Sequence, residues 1–90
     1  MKLPQHLRIR DDALHRPVGD EVVVLDLDSR EIHGLEGVGA FVWERLGDEP
    51  TMEELTAAVV ERYRVDAERA AADLERFVGE LVEAGLVERT

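Results

Sequence analysis

The 90-residue sequence predicts an α+β domain in which an N-terminal three-stranded antiparallel sheet packs on three helices. Residues 22–27, VVVLDL, are rich in β-branched side chains, and a polar turn then leads into a second apolar segment, as in a hairpin. Residues 37–90 contain three stretches with apolar side chains three and four positions apart, the periodicity of amphipathic helices. A hairpin together with three short helices is typical of a winged helix-turn-helix.

Two segments could supply the strand that precedes the hairpin. Residues 7–10 alternate apolar and charged side chains, and residues 14–18 do so with Pro17 interrupting, which an edge strand tolerates. The sequence leaves the choice between them open. Residues 1–6 lack periodicity, so we expect a flexible N-terminus followed by one domain over residues 7–90.

The hairpin is bounded by turn signals, and the helices by capping signals. Gly19 and Asp20 predict a turn before the first arm, residues 28–30 predict the hairpin turn, and residues 31–35 form the second arm. Gly37 and Gly39 open the first helix.

Thr51 and Glu54 have the spacing of a capping box at the start of the second helix. Asp66 is the expected N-cap of the third helix, and Gly85 its left-handed C-cap. The expected buried side chains of this half of the chain are Val38, Phe41, Val42, Leu46, Met52, Leu55, Val59, Tyr63, Leu74, Phe77, Val78, Leu81, Leu86 and Val87.

The charge balance argues against nucleic acid as a partner. The chain has 21 acidic and 11 basic residues and a net charge of -10, whereas a duplex is bound by clustered cations. Residues 64–90, which hold the would-be recognition helix, carry seven acidic and four basic side chains. The apolar runs are too short to span a membrane, and the first residues do not form a signal peptide, so we expect a cytoplasmic protein.

The side chains that catalysis requires are scarce. There is no cysteine, Ser29 lies in the predicted hairpin turn, and Lys2 lies in the N-terminal end. His6, His15 and His33 occur in three separate segments. We therefore expect no catalytic residues and no metal site. The glycines of residues 34–39 lack the pattern of a dinucleotide-binding loop, so no cofactor is expected either.

The second hairpin arm and the third helix remain as a candidate binding surface. The arm would be an edge strand, to which a peptide could add while placing alternate side chains in a groove beside the helix. Asp73 would meet a basic or polar group there, and Phe77 an apolar anchor, in one pocket with Ile32 and Gly34 or their neighbours. In the alternative, the N-terminal segment covers the edge strand, and the apolar side chains of the third helix are simply buried in the hydrophobic core. The candidate peptide-binding residues are Glu31, Ile32, His33, Gly34, Leu35, Ala70, Asp73, Leu74 and Phe77.

The order of these pieces over residues 16–87 resembles the PqqD-like family, the RiPP recognition elements that capture leader peptides of ribosomally made precursors. The similar pieces are VVVLDLDS, IHGLEGVGAFVWERL, and the two closing helices from TMEEL to AGLV. The segment GLEGVGAFVWE is most similar to the corresponding segment of the stand-alone members that lasso-peptide gene clusters encode. Two departures are Arg30, where the family often has glycine, and Ile32 with His33, where it often has paired aromatics.

The resemblance implies a non-catalytic adaptor with a three-stranded sheet on three helices. The leader peptide would add to residues 31–35 beside the third helix and be presented to a transglutaminase-like leader protease and then a cyclase. We expect a monomer or a weak dimer. Two alternatives stay open: an acidic winged-helix transcriptional regulator, and a non-catalytic subunit of another peptide-modifying enzyme.

Overall fold

The computed structural model describes residues 5–90 and confirms the predicted fold class. A three-stranded antiparallel sheet with strand order β2-β3-β4 packs against three helices, and a second, two-stranded antiparallel sheet joins β1 to β5. The elements follow the order β1 (Leu7–Ile9), β2 (Ala13–Val18), β3 (Glu21–Asp26), β4 (Ile32–Leu35), α1 (Val38–Leu46), α2 (Met52–Tyr63), α3 (Ala67–Glu83) and β5 (Val87–Arg89).

Both N-terminal segments are strands, which answers the question that the sequence left open. β2 pairs with β3 and is the first strand of the three-stranded sheet, whereas β1 pairs with β5 at the end of the chain. The pairing of the chain ends continues at His6, whose N–H donates to the Thr90 carbonyl at 3.3 Å and whose carbonyl accepts from the Thr90 N–H at 2.9 Å. Of the range 1–6 expected to be flexible, residues 1–4 lie outside the described part of the chain.

The core lies between the helices and one face of the sheet. On β3, Val22 and Val24 are buried while Val23 and Leu25 are only half-buried, because successive side chains of a strand point to opposite faces. Trp43 is completely buried and meets the His15 ring edge-on, with 5.6 Å between the ring centroids. The helices and the C-terminus contribute Ala40, Val42, Leu46, Leu55, Val59, Ala70, Leu74, Val78, Leu81, Leu86 and Val87.

Val38 is a correction to the set of side chains expected to be buried. The sequence predicts that Val38 is buried like Val42 and Leu46, but Val38 is exposed, whereas those two are completely buried. Val38 is the first residue of α1, at the end of the helix where the chain enters from β4. Its position at the helix terminus places it on a surface pocket instead of in the core.

The helix boundaries follow the predicted capping signals with one exception. The Thr51 hydroxyl accepts from the Glu54 N–H at 3.1 Å, and the Glu54 carboxylate accepts from the Thr51 N–H at 2.8 Å, so the capping box is confirmed. Gly85 has φ +79° after the end of α3, which confirms its left-handed conformation. Asp66 occupies the N-cap position of α3, but its carboxylate accepts no capping hydrogen bond. Asp66 is exposed, so water can solvate both the carboxylate and the first turn.

The turn between β3 and β4 is organised by a buried carboxylate. Asp26 accepts hydrogen bonds from the Ser29 hydroxyl at 2.8 Å and from the Asp28 N–H at 2.9 Å. These bonds, the one from Ser29 foremost, lower the pKa of the Asp26 carboxyl. Arg30 takes a left-handed φ of +65°, a conformation that favours glycine, at the position where the resembling family often has glycine.

Candidate functional site

The β4 edge of the three-stranded sheet offers free main-chain groups. The Asp26 N–H donates to the Glu31 carbonyl at 2.9 Å, so this pair marks the hydrogen-bonded positions of the β3–β4 ladder. Hydrogen-bonded pairs alternate with non-bonded pairs in an antiparallel ladder. His33 and Leu35 therefore bond to β3, and the N–H and C=O groups of Ile32 and Gly34 point away from it.

The β2 edge is less suitable for strand addition. The Leu27 N–H donates to the Asp12 carbonyl at 2.9 Å, and by the same alternation Pro17 lies at a position that points away from β3. Proline has no N–H to donate to an added strand. The outer side of β2 is therefore interrupted, while that of β4 is not.

The N-terminal segment does not cover the β4 edge. Within residues 5–90, β4 pairs with β3 alone, and the preceding segments form β2 at the opposite edge and β1 in the other sheet. For these residues, the alternative in which the N-terminus covers the predicted edge is therefore wrong. The edge is shorter than predicted, because Glu31 precedes the strand and only Ile32–Leu35 belong to β4.

The two faces of β4 correct the predicted composition of the pocket. His33 and Leu35 lie opposite Val24 and Val22 on the face that meets the helices. Ile32 and Gly34 are therefore on the other face, opposite Leu25 and Val23. Since side chains alternate along a strand, Ile32 and Gly34 cannot share a helix-side pocket with Asp73 and Phe77. Their neighbours His33 and Leu35 point to that side.

His33 supplies the polar group on the helix side of the edge. Its side chain is half-buried, and its Nε2 atom is buried without a hydrogen-bond partner among residues 5–90. The Glu31 Oε2 atom lies 3.7 Å away, which is too far for a hydrogen bond. A ligand on this face of β4 would contact the exposed part of the imidazole ring and not the buried Nε2 atom.

An apolar pocket lies where the first turn of α1 meets α2 and the first half of α3. Its volume is about 280 Å³. Ala70 and Leu74 are buried at its base, while Val38 and Val65 are exposed. Arg69 and Asp73 line it as well, with 4.0 Å between the Arg69 Nε and the Asp73 Oδ2 atoms. The complete lining is Val38, Val59, Tyr63, Val65, Arg69, Ala70, Asp73 and Leu74.

Three of the predicted α3 residues, Ala70, Asp73 and Leu74, thus share this pocket. For Ala70 and Leu74 the core interpretation also holds, since both are buried in the hydrophobic core. Sequence reasoning missed the contribution of Val65, although an aliphatic residue in the otherwise polar link between α2 and α3 was a usable signal.

Phe77 does not line the pocket and instead packs beside it. Its ring lies against Gly39 in the first turn of α1, where a Cβ atom on residue 39 would be 3.5 Å from the Phe77 Cζ atom. Phe77 is half-buried and packs on the core. It therefore holds α3 against the part of α1 that follows β4.

The open edge and the pocket adjoin one another along the chain. β4 ends at Leu35, and Val38, three residues later, lines the pocket. Strands rise about 3.3 Å per residue, so Ile32 and Val38 are at most roughly 20 Å apart along the chain. An extended peptide of about six residues could occupy both the edge and the pocket.

Two other kinds of site are not seen in the described part of the chain. Residues 5–90 contain no group of three or more His, Cys, Asp or Glu side chains placed to hold a metal ion. None of the helices within these residues has the length and apolar character needed to cross a bilayer.

Comparisons with known proteins identify the family. The family model of coenzyme PQQ synthesis protein D (PqqD) matches residues 21–87. The structure of TbiB1 in complex with the TbiA(beta) leader peptide is similar, with 32% sequence identity, a TM-score of 0.86, and coverage of 90% of this chain and 94% of that chain. A lasso peptide synthetase B1 complexed with the leader peptide shares the fold at 24% sequence identity, with a TM-score of 0.81 and coverage of 91% of this chain and 96% of that chain. No curated protein matches the sequence. Because the family model spans most of the chain, the protein belongs to the PqqD family, as the resemblance of residues 16–87 predicted.

Proposed function

We propose that this protein is a non-catalytic adaptor, a RiPP recognition element, that captures the leader segment of a ribosomally made precursor peptide as an added strand on β4. The observation that carries the proposal is the open edge at Ile32 and Gly34, on a strand that is followed after three residues by Val38, which lines an apolar pocket. The structure of TbiB1, which is 32% identical over 90% of this chain, is that of a complex with a leader peptide, and this supports the same role here.

The edge would supply affinity, and the pocket would supply selectivity. Main-chain hydrogen bonds to Ile32 and Gly34 are nearly independent of the leader's side chains, so discrimination must come from side-chain pockets. At about 280 Å³ the pocket is smaller than the roughly 300–1,000 Å³ of small-molecule sites. That size suits one apolar side chain of the leader better than a cofactor.

Side chains beside the pocket and on the helix side of β4 would orient the captured peptide. Asp73 lines the pocket with its carboxylate exposed, where it can meet a basic or polar group of the leader. His33 and Leu35 face the side chains of an added strand that point toward the helices. Phe77 would act by holding α1 and α3 together rather than as the anchor itself.

The captured leader would belong to a lasso-peptide precursor, which the adaptor presents to a transglutaminase-like leader protease and then to a cyclase. The shortage of nucleophiles in the sequence fits a division of labour in which those enzymes carry the chemistry. The adaptor would act in the cytoplasm, as a monomer or a weak dimer.

Fluorescence anisotropy tests the proposal. A fluorescein-labelled leader peptide is titrated with the protein, and its sequence is taken from the precursor reading frame next to the gene. Saturable binding of the leader and none of the core segment is the expected result. Val65→Asp places a charge in the apolar pocket and should weaken binding about tenfold or more. Val18→Asp makes the same charge change on an exposed β2 residue outside the pocket and should stay within about twofold.

A second arm of the titration uses duplex DNA in roughly 50 mM salt, where phosphate contacts are strongest. We expect no saturable binding, since the net charge is -10. A salt-sensitive DNA complex together with no leader binding would overturn the proposal in favour of a winged-helix regulator. Equal leader affinities for the two aspartate variants would place the selectivity pocket elsewhere.

A further inference from the structure

Two stacked aromatic side chains, flanked by two arginines, cross the surface of α1 and α2. The Arg45 Cζ atom lies 5.5 Å from the centroid of the Phe41 ring, and the Arg62 Cζ atom lies 5.1 Å from that of the Tyr63 ring. The two rings meet edge-on, with 5.5 Å between their centroids. Both rings are half-buried and both arginines are exposed. Because these distances are typical of cation–π contacts, each guanidinium is supported by an aromatic ring.

Neither arginine forms an ion pair within the described part of the chain. Among residues 5–90, the arginines that do so are Arg8, Arg10, Arg69 and Arg76. The residues three and four positions before Arg62 on α2 are Val59 and Ala58, so the preceding turn offers no acidic partner. A guanidinium that stacks through its planar face keeps the N–H groups along its edge available for a carboxylate. Arg62 can therefore bind a carboxylate from outside the chain.

The surroundings of the two arginines differ. Both lie in the last turn of a helix, where a positive charge interacts favourably with the helix dipole. Arg45 lines a cleft of about 200 Å³ together with Asp48 and Glu54, so acidic side chains already accompany its charge. Arg62 instead lies over the ring of Tyr63, which lines the apolar pocket. Of the two, only Arg62 is beside the surface that the proposed function uses.

The carboxylate that lines the apolar pocket already has basic neighbours. The Asp73 Oδ2 atom is 4.0 Å from the Arg69 Nε atom, and the Asp73 Oδ1 atom is 3.9 Å from an Nη2 atom of Arg76. A peptide that places an apolar side chain in the pocket passes the Tyr63 ring. Because an extended chain rises about 3.3 Å per residue, the side chains next to that apolar residue are within reach of Arg62.

We infer that Arg62 is a specificity-determining residue that binds the carboxylate of an aspartate or glutamate about one to three residues from the apolar anchor of the captured leader. This inference rests on the proposed function, because it takes the leader to occupy the pocket. The guanidinium, supported by Tyr63, would donate paired hydrogen bonds to the two carboxylate oxygens. Arg62 thereby adds a charge requirement to a pocket that otherwise selects by size and apolarity.

The test measures how Arg62 and the leader's acidic residues depend on one another. The probes are the fluorescein-labelled leader peptide encoded next to the gene and variants in which each aspartate or glutamate is replaced singly by its amide. Each peptide is titrated by anisotropy with the wild type, Arg62→Gln, Arg62→Lys and Arg45→Gln. Arg45 is the matched control, because it also lies over an aromatic ring in the last turn of a helix and its loss changes the net charge equally. Melting temperatures show that each variant is folded.

Arg62→Gln should bind the leader about fivefold more weakly, and Arg45→Gln should stay within about twofold of the wild type. Arg62→Lys keeps the charge without the planar fork and should be intermediate. One leader variant should lose the same factor with the wild type and lose nothing further with Arg62→Gln, because both changes remove the same contact.

Wild-type affinity of a folded Arg62→Gln would overturn the inference and leave the adaptor function intact. Equal losses for Arg45→Gln and Arg62→Gln would also overturn it, since they would show a general effect of net charge. A leader without an acidic residue near its apolar anchor, or losses that simply add for every leader variant, would do the same. Absence of leader binding by the wild type would instead refute the proposed function.

Discussion

Replacing Gly34 with proline tests whether the leader's main chain pairs with β4. Gly34 lies at a position whose N–H points away from β3, so proline removes a donor that the folded protein does not use. Nothing lies within 4 Å of a Cβ atom added at this position, so a Cβ atom at residue 34 meets no steric obstacle in the free protein. The substitution should therefore act on binding rather than on folding.

The expected magnitude follows from one lost hydrogen bond. A hydrogen bond contributes about 1 kcal/mol net, and a partner left unsatisfied can cost about 1–3 kcal/mol. Because the edge is at the surface, water can satisfy part of the leader's freed carbonyl, so the lower end applies. A loss of about 1.5 kcal/mol corresponds to roughly a tenfold weaker leader complex.

Gly34→Val is the matched control, because valine retains the N–H and favours strand geometry. Fluorescence anisotropy with the labelled leader should show a wild-type affinity, within about twofold, for Gly34→Val and the tenfold loss only for Gly34→Pro. Thermal melts should place both variants close to the wild type. If a folded Gly34→Pro binds the leader as tightly as the wild type, strand addition at β4 is wrong.

Two further predictions concern stability. Gly79 lies inside α3 with open space around its Cβ position, so Gly79→Ala should raise the free energy of unfolding by about 0.5–1 kcal/mol. Urea denaturation measures this change, and a destabilised variant would contradict the prediction. The Ser29 hydroxyl lowers the pKa of Asp26 below its ordinary value of 3.8, so the ionised carboxylate stabilises the fold above that pH, and this contribution is lost as the pH falls through the lowered value. Asp26→Asn should therefore be less stable than the wild type at pH 7, and the gap should close toward pH 3; a gap that does not depend on pH would show that the charge is unimportant.

Local signals in the sequence determined much of the architecture. The β-branched run at residues 22–25, the capping box at Thr51 and Glu54, and the glycine at position 85 act through short-range steric and hydrogen-bonding preferences. These preferences depend on neighbours within a few residues, so they could be recognised before any tertiary contact was known. The family resemblance could be recognised for the same reason, because it rests on the order of such local pieces.

The candidate site depended on contacts that only the tertiary structure decided. The pairing of β1 with β5 joins residues about 80 positions apart, and no local pattern encodes it. The register of β3 with β4 decides that Ile32 and Gly34 face away from the helices and that their main-chain groups face the open edge. A shift of one residue would exchange the two faces, so a pattern that is apolar on both of them could not specify the orientation. The pocket likewise combines Val38, Val65 and Leu74 from separate parts of the chain, which come together only when α1 and α3 pack on the same core.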